Sequence, residues 1–242
     1  MSASKIELKH LIPVTDPTIP LPLKDHFDLD KPIEIEVGCG NGRFLAARAS
    51  RNPDVQYIGI ERLLGRVRKL ESKAEKRGLD NLRILRLEAF YTFYYLLPRH
   101  GIRTVYVFFP DPWPKRHHHS HRLFSPLFLD ALWTRLEIGG TIQIATDHLP
   151  YFEEIKERFA ADPRFAPFPA MTRDEEEQTT FEQLFRGQGL PIGQCAFQTL
   201  PAEEKPLEPL TVPPEMEPRP EAHPDSLPGG MELPGEEISP ER

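Results

Sequence analysis

The sequence predicts an α/β fold built on a parallel sheet with helices on both of its faces. From Pro32 onward, short apolar segments alternate with helical patterns at the spacing of β-α-β units. The segment 104–109, Thr-Val-Tyr-Val-Phe-Phe, is apolar throughout, as expected of a strand that is covered on both faces. A cluster of glycines follows the first apolar segment, where such folds turn from a strand into a helix.

Each element follows from periodicity and punctuation. Period-two or continuous β-branched runs predict the strands, and a 3.6-residue apolar stripe bounded by Pro, Asn or Gly predicts the helices. In the second helix, for example, Leu63, Val67, Leu70 and Ala74 share a stripe, and Gly78 stands where a terminating glycine is favoured. The predicted strands are 33–37, 55–60, 82–87, 104–109, 141–145 and 197–200, and the predicted helices are 44–51, 62–77, 90–98, 126–136 and 150–161.

Composition divides the chain into three parts: an irregular N-terminal arm (1–31), a folded domain (32–200) and a tail (201–242). The tail holds eleven of the 27 prolines, and eleven acidic against three basic side chains. Such a segment buries too little apolar surface to offset its chain entropy, so we expect it to be disordered. Because the whole chain carries −7 and the tail −8, residues 1–200 sum to +1. A nucleic-acid footprint would therefore have to be a local basic patch.

The two cysteines, Cys39 and Cys195, cannot build a disulfide framework, which favours a reducing, cytoplasmic setting. The N-terminus lacks the basic and apolar regions of a secretory signal. No apolar run approaches the ~20 residues needed to cross a bilayer, so no membrane partner is expected. The oligomeric state cannot be read from the sequence, and a monomer is the favoured prediction.

The glycine cluster indicates a ligand-binding loop. Gly38, Gly40 and Gly42 follow the first strand and Glu36 precedes them. The dinucleotide fingerprint requires glycine where Arg43 stands, which argues against a pyrophosphate ligand. An acid beside the loop favours a cationic ligand instead, such as a sulfonium or an ammonium. The alternative is a tight strand–helix turn that binds nothing.

Four further acids stand at or just after the ends of predicted strands. They are Glu61, Glu88, Asp111 and Asp147. Parallel strands place their carboxyl ends on one edge of the sheet, so these side chains and the glycine loop should face one crevice. Glu61 is suited to the two hydroxyls of a ribose. A helix N-terminal position for Glu61, or a solvated position for Glu88, is the plainer alternative.

The segment after the fourth strand carries the most specific signal. Asp111 lies between two prolines, which restrict the backbone and fix the direction of its carboxylate. Trp113 offers a surface on which a base can stack, and Lys115 begins a basic run suited to phosphates. A solvated Pro-rich turn is the alternative. Adjacent histidines rarely converge on one ion, so no metal is predicted, and no neighbouring histidine activates Cys39 as a nucleophile.

These residues resemble the tRNA (guanine-N7)-methyltransferase family. Residues 109–118 read Phe-Pro-Asp-Pro-Trp-Pro-Lys-Arg-His-His, which is similar to the family signature. Further matches follow in order: Glu36 before the glycines, Gly59-Ile60-Glu61, Ala145-Thr146-Asp147 and Thr179-Thr180-Phe181-Glu182. The resemblance covers roughly residues 32–199.

The resemblance implies a class I, Rossmann-like methyltransferase fold with a mostly parallel, seven-stranded sheet. It implies S-adenosyl-L-methionine as cofactor and tRNA as substrate, with transfer to N7 of the guanosine at position 46 in the variable loop. The residues that it assigns to the cofactor are Glu36, Gly38, Gly40, Glu61, Glu88 and Asp111, with Asp111 also catalytic; those that it assigns to the RNA are Lys115, Asp147, Thr179, Phe181 and Glu182.

The sequence departs from the family pattern at three places. Glu88 replaces the usual aspartate, Thr180 replaces a lysine, and the run 117–121 is rich in histidine rather than in Lys and Arg. A neutral histidine run should bind RNA more weakly, or with a stronger dependence on pH.

Two other functions stay open on the sequence. The segment Phe-Pro-Asp-Pro-Trp also loosely resembles the loop of amino-group methyltransferases, whose acceptor would be an exocyclic amine of adenine or a protein glutamine. A non-catalytic RNA-binding subunit that keeps the fold is the other alternative.

Overall fold

The computed structural model describes residues 8–16, 18–204 and 206–207, and within them seven strands form one sheet. The strand order is β3-β2-β1-β4-β5-β7-β6; the first five pair in parallel, and β7 is antiparallel to both of its neighbours. The predicted fold class is therefore confirmed. The strands are β1 (Ile33–Val37), β2 (Gln56–Ile60), β3 (Leu82–Leu85), β4 (Ile102–Phe108), β5 (Leu136–Thr146), β6 (Phe165–Phe168) and β7 (Gly193–Thr199).

The helices lie close to their predicted positions, and one further helix was not predicted. The helices are α1 (Arg43–Arg51), α2 (Leu64–Arg77), α3 (Ala89–Tyr91, continued by a π-helical turn at Thr92–Leu96), α4 (Pro126–Arg135), α5 (Leu149–Ala160) and α6 (Thr180–Gly187), with 3₁₀ turns at Leu23–Asp25 and Arg116–His121. The unpredicted helix, α6, is short. Thr179 caps its N-terminus, because the Thr179 hydroxyl accepts from the Glu182 N–H. Gly78 ends α2 in the left-handed conformation, as predicted, whereas Leu63 is exposed and precedes the helix instead of joining the stripe.

Strand β5 begins earlier than predicted. Gly139 and Gly140 precede the predicted strand 141–145, but both belong to β5, where the pairing with β4 is irregular. A Cβ atom at Gly140 would lie 2.9 Å from a backbone oxygen of Glu137 and 3.0 Å from that of Arg103. The glycines therefore allow an irregularity inside the strand rather than a break before it.

Apolar clusters cover both faces of the sheet. One face packs against α4 and α5, with Phe128, Trp133 and Phe159 fully buried. The other face packs against α1 and α2, with Leu45 and Leu70 buried. Because Ile35 enters the first cluster, its neighbour Glu36 must project toward the α1 face.

The described residues of the N-terminal arm, 8–16 and 18–31, contain one 3₁₀ turn and one isolated bridge, and they pack onto the sheet. Ile12, Leu23 and Phe27 are buried in the larger cluster, and Leu11 forms a single parallel bridge with Ile84. The division into 1–31, 32–200 and 201–242 stays a prediction, since the expected disorder of the tail concerns residues that lie mostly outside the described ones. No helix within the described ranges is long and apolar enough to cross a membrane.

Gly42 joins the glycine loop to α1 under two constraints. Its φ is +70°, and an added Cβ would lie 2.2 Å from Leu70 Cδ1 on α2. We therefore expect Gly42→Ala to lower the free energy of unfolding by roughly 2 to 4 kcal/mol.

Gly65→Ala is the matched control in a urea titration. Gly65 lies within α2, has an ordinary φ and has open space where a Cβ would project. Alanine there should leave stability unchanged or raise it by about 0.5 kcal/mol. Equal losses at both positions would contradict the steric argument.

Candidate active site

The candidate site lies where the strand order reverses. Strands β1 and β4 are neighbours at the centre of the sheet, and their crossovers run in opposite directions from this point. Open α/β sheets bind ligands in the crevice beyond the carboxyl ends of such strands. The acids that follow the strands lie at this edge, as predicted: Glu61 directly after β2, Glu88 after β3, Asp111 after β4 and Asp147 directly after β5.

The glycine loop presents its backbone to open space. Gly38 and Gly40 have φ values of +67° and +55°, in the left-handed region. An added Cβ would meet no atom within 4 Å at Gly38 and only a backbone oxygen at 4.0 Å at Gly40. The loop therefore needs glycine for its conformation and leaves a cradle that a side chain would fill.

Glu36 is a buried carboxylate with an unsatisfied oxygen. The residue is 3% exposed, and Oε2 has no hydrogen-bond partner among the described residues. Burial, reinforced by the nearby Glu61 charge, raises the pKa of Glu36 well above its ordinary value, while Arg173 opposes the shift. A buried carboxyl group with an unsatisfied oxygen favours the binding of a cation or a hydrogen-bond donor that reaches it.

Glu61 is held against the glycine loop. Its Oε2 accepts from the Gly40 N–H at 3.1 Å, and its Oε1 accepts from the Leu63 N–H at 2.9 Å. Arg66 lies 3.8 Å from the same carboxylate. The helix N-terminal setting is therefore observed: Glu61 stabilises the start of α2 and fixes the loop. Each oxygen keeps a lone pair for a further donor, so the ribose-binding role stays a prediction.

Glu88 and Asp147 lie farther along the same edge in opposite directions. Glu88 caps α3, because its Oε2 accepts from the Tyr91 N–H at 3.1 Å. Asp147 follows β5 directly and is partly exposed. Partial burial raises the pKa of Asp147, against a smaller lowering by His148.

Asp111 stands on a loop whose backbone is strained at two places. Phe109 and Trp113, each followed by proline, have φ values of +55° and +44°, which bulky residues rarely adopt. Solvent reaches the Asp111 carboxylate, yet the protein around it desolvates it enough to raise its pKa, with Arg66 and Arg62 opposing. Strain of this kind persists only where the surrounding structure imposes it, and it concentrates at functional sites.

The basic run forms a 3₁₀ turn beside Trp113. The Trp113 ring contacts the rings of His118 and His121, with centroid distances of 5.7 and 5.0 Å. Desolvation and the neighbouring His117, His121 and Lys115 lower the pKa of His118, so this histidine carries less positive charge at neutral pH. Lys115 is exposed at the start of the turn.

The segment 171–180 closes over α1 and the glycine loop. Arginines of α1 hold its acidic run: Arg51 pairs with Asp174 and Glu176 at 2.8 and 2.7 Å, and Arg48 pairs with Glu177 at 3.4 Å. Thr180 accepts from the Asn41 side-chain amide at 3.0 Å, which ties the glycine loop to α6. Thr180, where the family has lysine, thus has a defined contact.

The predicted RNA-binding residues at α6 differ in how deeply they are buried. Phe181 is partly exposed and its ring lies near that of Phe109, with centroids 6.4 Å apart. Glu182 is fully buried; Arg173 Nε and Arg186 Nη2 lie 2.7 and 2.8 Å from its oxygens. As placed here, Glu182 can act on a ligand only through these arginines, and Thr179 caps the helix.

Sequence reasoning missed Arg173 altogether. The residue is 7% exposed, its guanidinium lies 4.1 Å above the Phe108 ring at the end of β4, and its Nη2 has no partner among the described residues. The available signal was a single arginine directly before the acidic run 174–177. Nothing local shows that Arg173 pairs with Glu182, nine residues later.

The arrangement suits a zwitterionic or cationic ligand with several hydroxyl or amide donors. It combines a backbone cradle, buried and half-buried carboxylates, and a rigid acid on a strained loop. Cys39 is buried beside it, and burial raises the pKa of its thiol, which disfavours the reactive thiolate. Within the described ranges no group of three or more His, Cys, Asp or Glu side chains is arranged to bind a metal ion.

The raised pKa of Glu36 has a consequence for stability. The folded protein holds the Glu36 proton to higher pH than the unfolded chain, whose carboxyl titrates near 4.5. The contribution of Glu36 to stability therefore falls as pH rises above that value. We expect Glu36→Gln to raise the free energy of unfolding, and to raise it more at about pH 8 than at about pH 5.

Thermal or denaturant unfolding of both proteins at the two pH values measures this difference. Glu75→Gln, on α2, is a control that should show no such pH-dependent gain. A Glu36→Gln variant that is less stable at both pH values would contradict the burial cost assigned to this carboxylate.

Comparisons with known proteins show the family of this chain. A family model described as a putative methyltransferase matches residues 30–194. A curated tRNA (guanine-N(7)-)-methyltransferase of Nitrosococcus oceani is 32% identical over 203 residues, which cover 81% of this chain and 85% of that protein. A protein of the same name from Nocardia farcinica is 37% identical over 159 residues, 66% of this chain and 59% of the relative, so the match spans less than two thirds of that protein.

A solved structure shares the fold. The 16S rRNA methyltransferase KamB superposes with a TM-score of 0.55 at 17% identity, covering 74% of this chain and 91% of that one. The predicted family is confirmed by the family model and by the curated relatives. The chain therefore belongs to the tRNA (guanine-N7)-methyltransferase family, within the putative methyltransferases that the family model describes.

Proposed function

We propose that this protein transfers a methyl group from S-adenosyl-L-methionine to N7 of a guanosine in tRNA. The nucleotide is the guanosine at position 46 of the variable loop, and the product is 7-methylguanosine. The observation that carries the proposal is the unsatisfied, buried Glu36 oxygen next to an open glycine cradle and Glu61. The names of the curated relatives support the same reaction.

The residues fit this cofactor. Glu36 offers a carboxylate to the ammonium group, and Gly38 and Gly40 leave room for the chain of the methionine. Glu61 keeps free lone pairs that could accept from the ribose hydroxyls, and Glu88, after β3, would lie beside the adenine. When bound, the cofactor supplies an electrophilic methyl group on a cationic sulfur.

The residues of this chain then orient the base. N7 of guanine carries a lone pair and no proton, so the reaction needs alignment of N7 with the methyl group rather than a general base. Asp111 and Asp147 are suited to accept from the N1–H and N2–H₂ edge of guanine. Asp111 can also stabilise the positive charge that develops on the methylated purine.

The RNA would reach the site along the face that carries Lys115 and the 3₁₀ turn. Lys115 is exposed and can pair with a phosphate, and Phe181 lies on the same side as the strained Asp111 loop. A base must be unstacked to enter such a crevice, which is easiest in a loop of tRNA. We place the reaction in the cytoplasm and expect a monomer.

Replacing Asp111 tests the proposed reaction. Asp111→Asn keeps the size of the side chain and removes its charge, so we expect the single-turnover rate of methyl transfer to unmodified tRNA to fall about 100-fold or more. Asp54→Asn, an exposed acid at the opposite edge of the sheet, is the matched control and should transfer at the wild-type rate.

The methyl group of S-adenosyl-L-methionine is radiolabelled, and the nucleoside that receives the label is identified in the same experiment. Full turnover in Asp111→Asn would refute the role of this residue. Label in another nucleoside would refute the N7 assignment and favour transfer to an amine. Cofactor binding without any transfer to tRNA would favour the non-catalytic RNA-binding alternative.

A further inference from the structure

Two buried polar atoms without partners lie at the carboxyl ends of the neighbouring strands β1 and β4, on the face of the sheet that packs against α1. Among the described residues, Glu36 Oε2 and Arg173 Nη2 are both screened from solvent and make no hydrogen bond. They lie too far apart for an ion pair, yet close enough for the Arg173 charge to oppose the rise in the pKa of Glu36. Native proteins rarely leave such groups unsatisfied without a functional reason.

The position of Arg173 is fixed from two sides. Its Nε donates to Glu182 Oε2 at 2.7 Å, and its guanidinium carbon lies 4.1 Å from the centroid of the Phe108 ring. A guanidinium is a rigid planar group, so holding Nε and the guanidinium carbon in place also restricts the position of Nη2. Arg173 is therefore preorganised to meet a ligand at the end of β4.

The local charge favours an anion at this point. Glu182 pairs with both Arg173 and Arg186, so the three side chains carry a net charge of +1. The neighbouring carboxyl groups of Glu36 and Glu61 lie at the glycine loop. A ligand with a positive and a negative end a few ångströms apart would satisfy both sides at once.

We infer that Arg173 binds the carboxylate of the amino-acid end of the cofactor, while Glu36 binds its ammonium group. The inference rests on the proposed function, and it gives Glu182 a role as the positioning residue that holds Arg173 rather than as an RNA contact. A charge-assisted hydrogen bond from a buried arginine, single or bidentate, is stronger than a hydrogen bond between neutral groups. The carboxylate of the cofactor should therefore raise the affinity of the protein for the cofactor.

The test compares two ligands that differ only in this group: S-adenosyl-L-methionine and its decarboxylated form. Their dissociation constants are measured by calorimetry on the full chain, without tRNA and without turnover. The wild-type protein should prefer the intact cofactor by about 10- to 100-fold. In Arg173→Met this preference should fall to within about threefold of unity, because the variant keeps the apolar stem and loses the donor.

Arg186→Met is the matched control. It removes the other arginine from Glu182 but no donor aimed into the crevice, so the preference for the intact cofactor should persist. The ratio of two affinities in one variant is insensitive to a partial loss of folded protein. Arg173→Lys, which keeps the charge, should recover part of the preference if the substitution to Met is poorly folded.

The outcomes separate this inference from the proposed function. A wild-type protein that binds neither ligand would refute the proposed function itself. Tight binding of both ligands with equal affinity would leave the proposed function standing and refute the inference. A preference that survives in Arg173→Met would also overturn it.

Discussion

The site depends on the cost of burying one carboxylate. Glu36 projects from the central strand β1 toward α1, at the point where the strand order reverses, and within the described part of the chain its Oε2 has no hydrogen-bond partner. Burial without a partner destabilises the ionised form of a carboxyl group, and this destabilisation raises the pKa of Glu36 in the free protein. A cationic ligand removes the cost, so the same arrangement that weakens the fold strengthens binding.

The second wall of the crevice is built from distant parts of the chain. Arginines of α1 hold the acidic run 174–177, and this contact positions the segment that contains Arg173 and leads to α6. Asn41 in the glycine loop donates to Thr180 at the start of α6. The glycine loop and α6 are therefore linked directly, and a change in either should be felt at the other.

The sequence predicted those parts of the fold and site that depend on local patterns. Glycines after a strand, acids at strand ends and prolines around Asp111 have local physical reasons, and the structure places all of them at one edge. The pairing of Glu182 with Arg173 depends on how α6 packs and has no periodic signature. The surrounding structure likewise imposes the left-handed conformation of Phe109. A bulky residue before proline does not predict that conformation.

Proton release on cofactor binding tests most directly whether Glu36 is the centre of this site. Calorimetric titration with S-adenosyl-L-methionine in buffers of different ionisation enthalpy measures the number of protons released. A pH of about 6 is chosen because the α-amino group of the cofactor keeps its own proton there. Burial raises the pKa of Glu36 in the free protein, and a cation bound beside the carboxyl group should lower that pKa, so binding should release protons and affinity should rise with pH. Glu36→Gln should abolish the release. Binding without proton exchange in the wild-type protein, or equal release in the variant, would contradict the account.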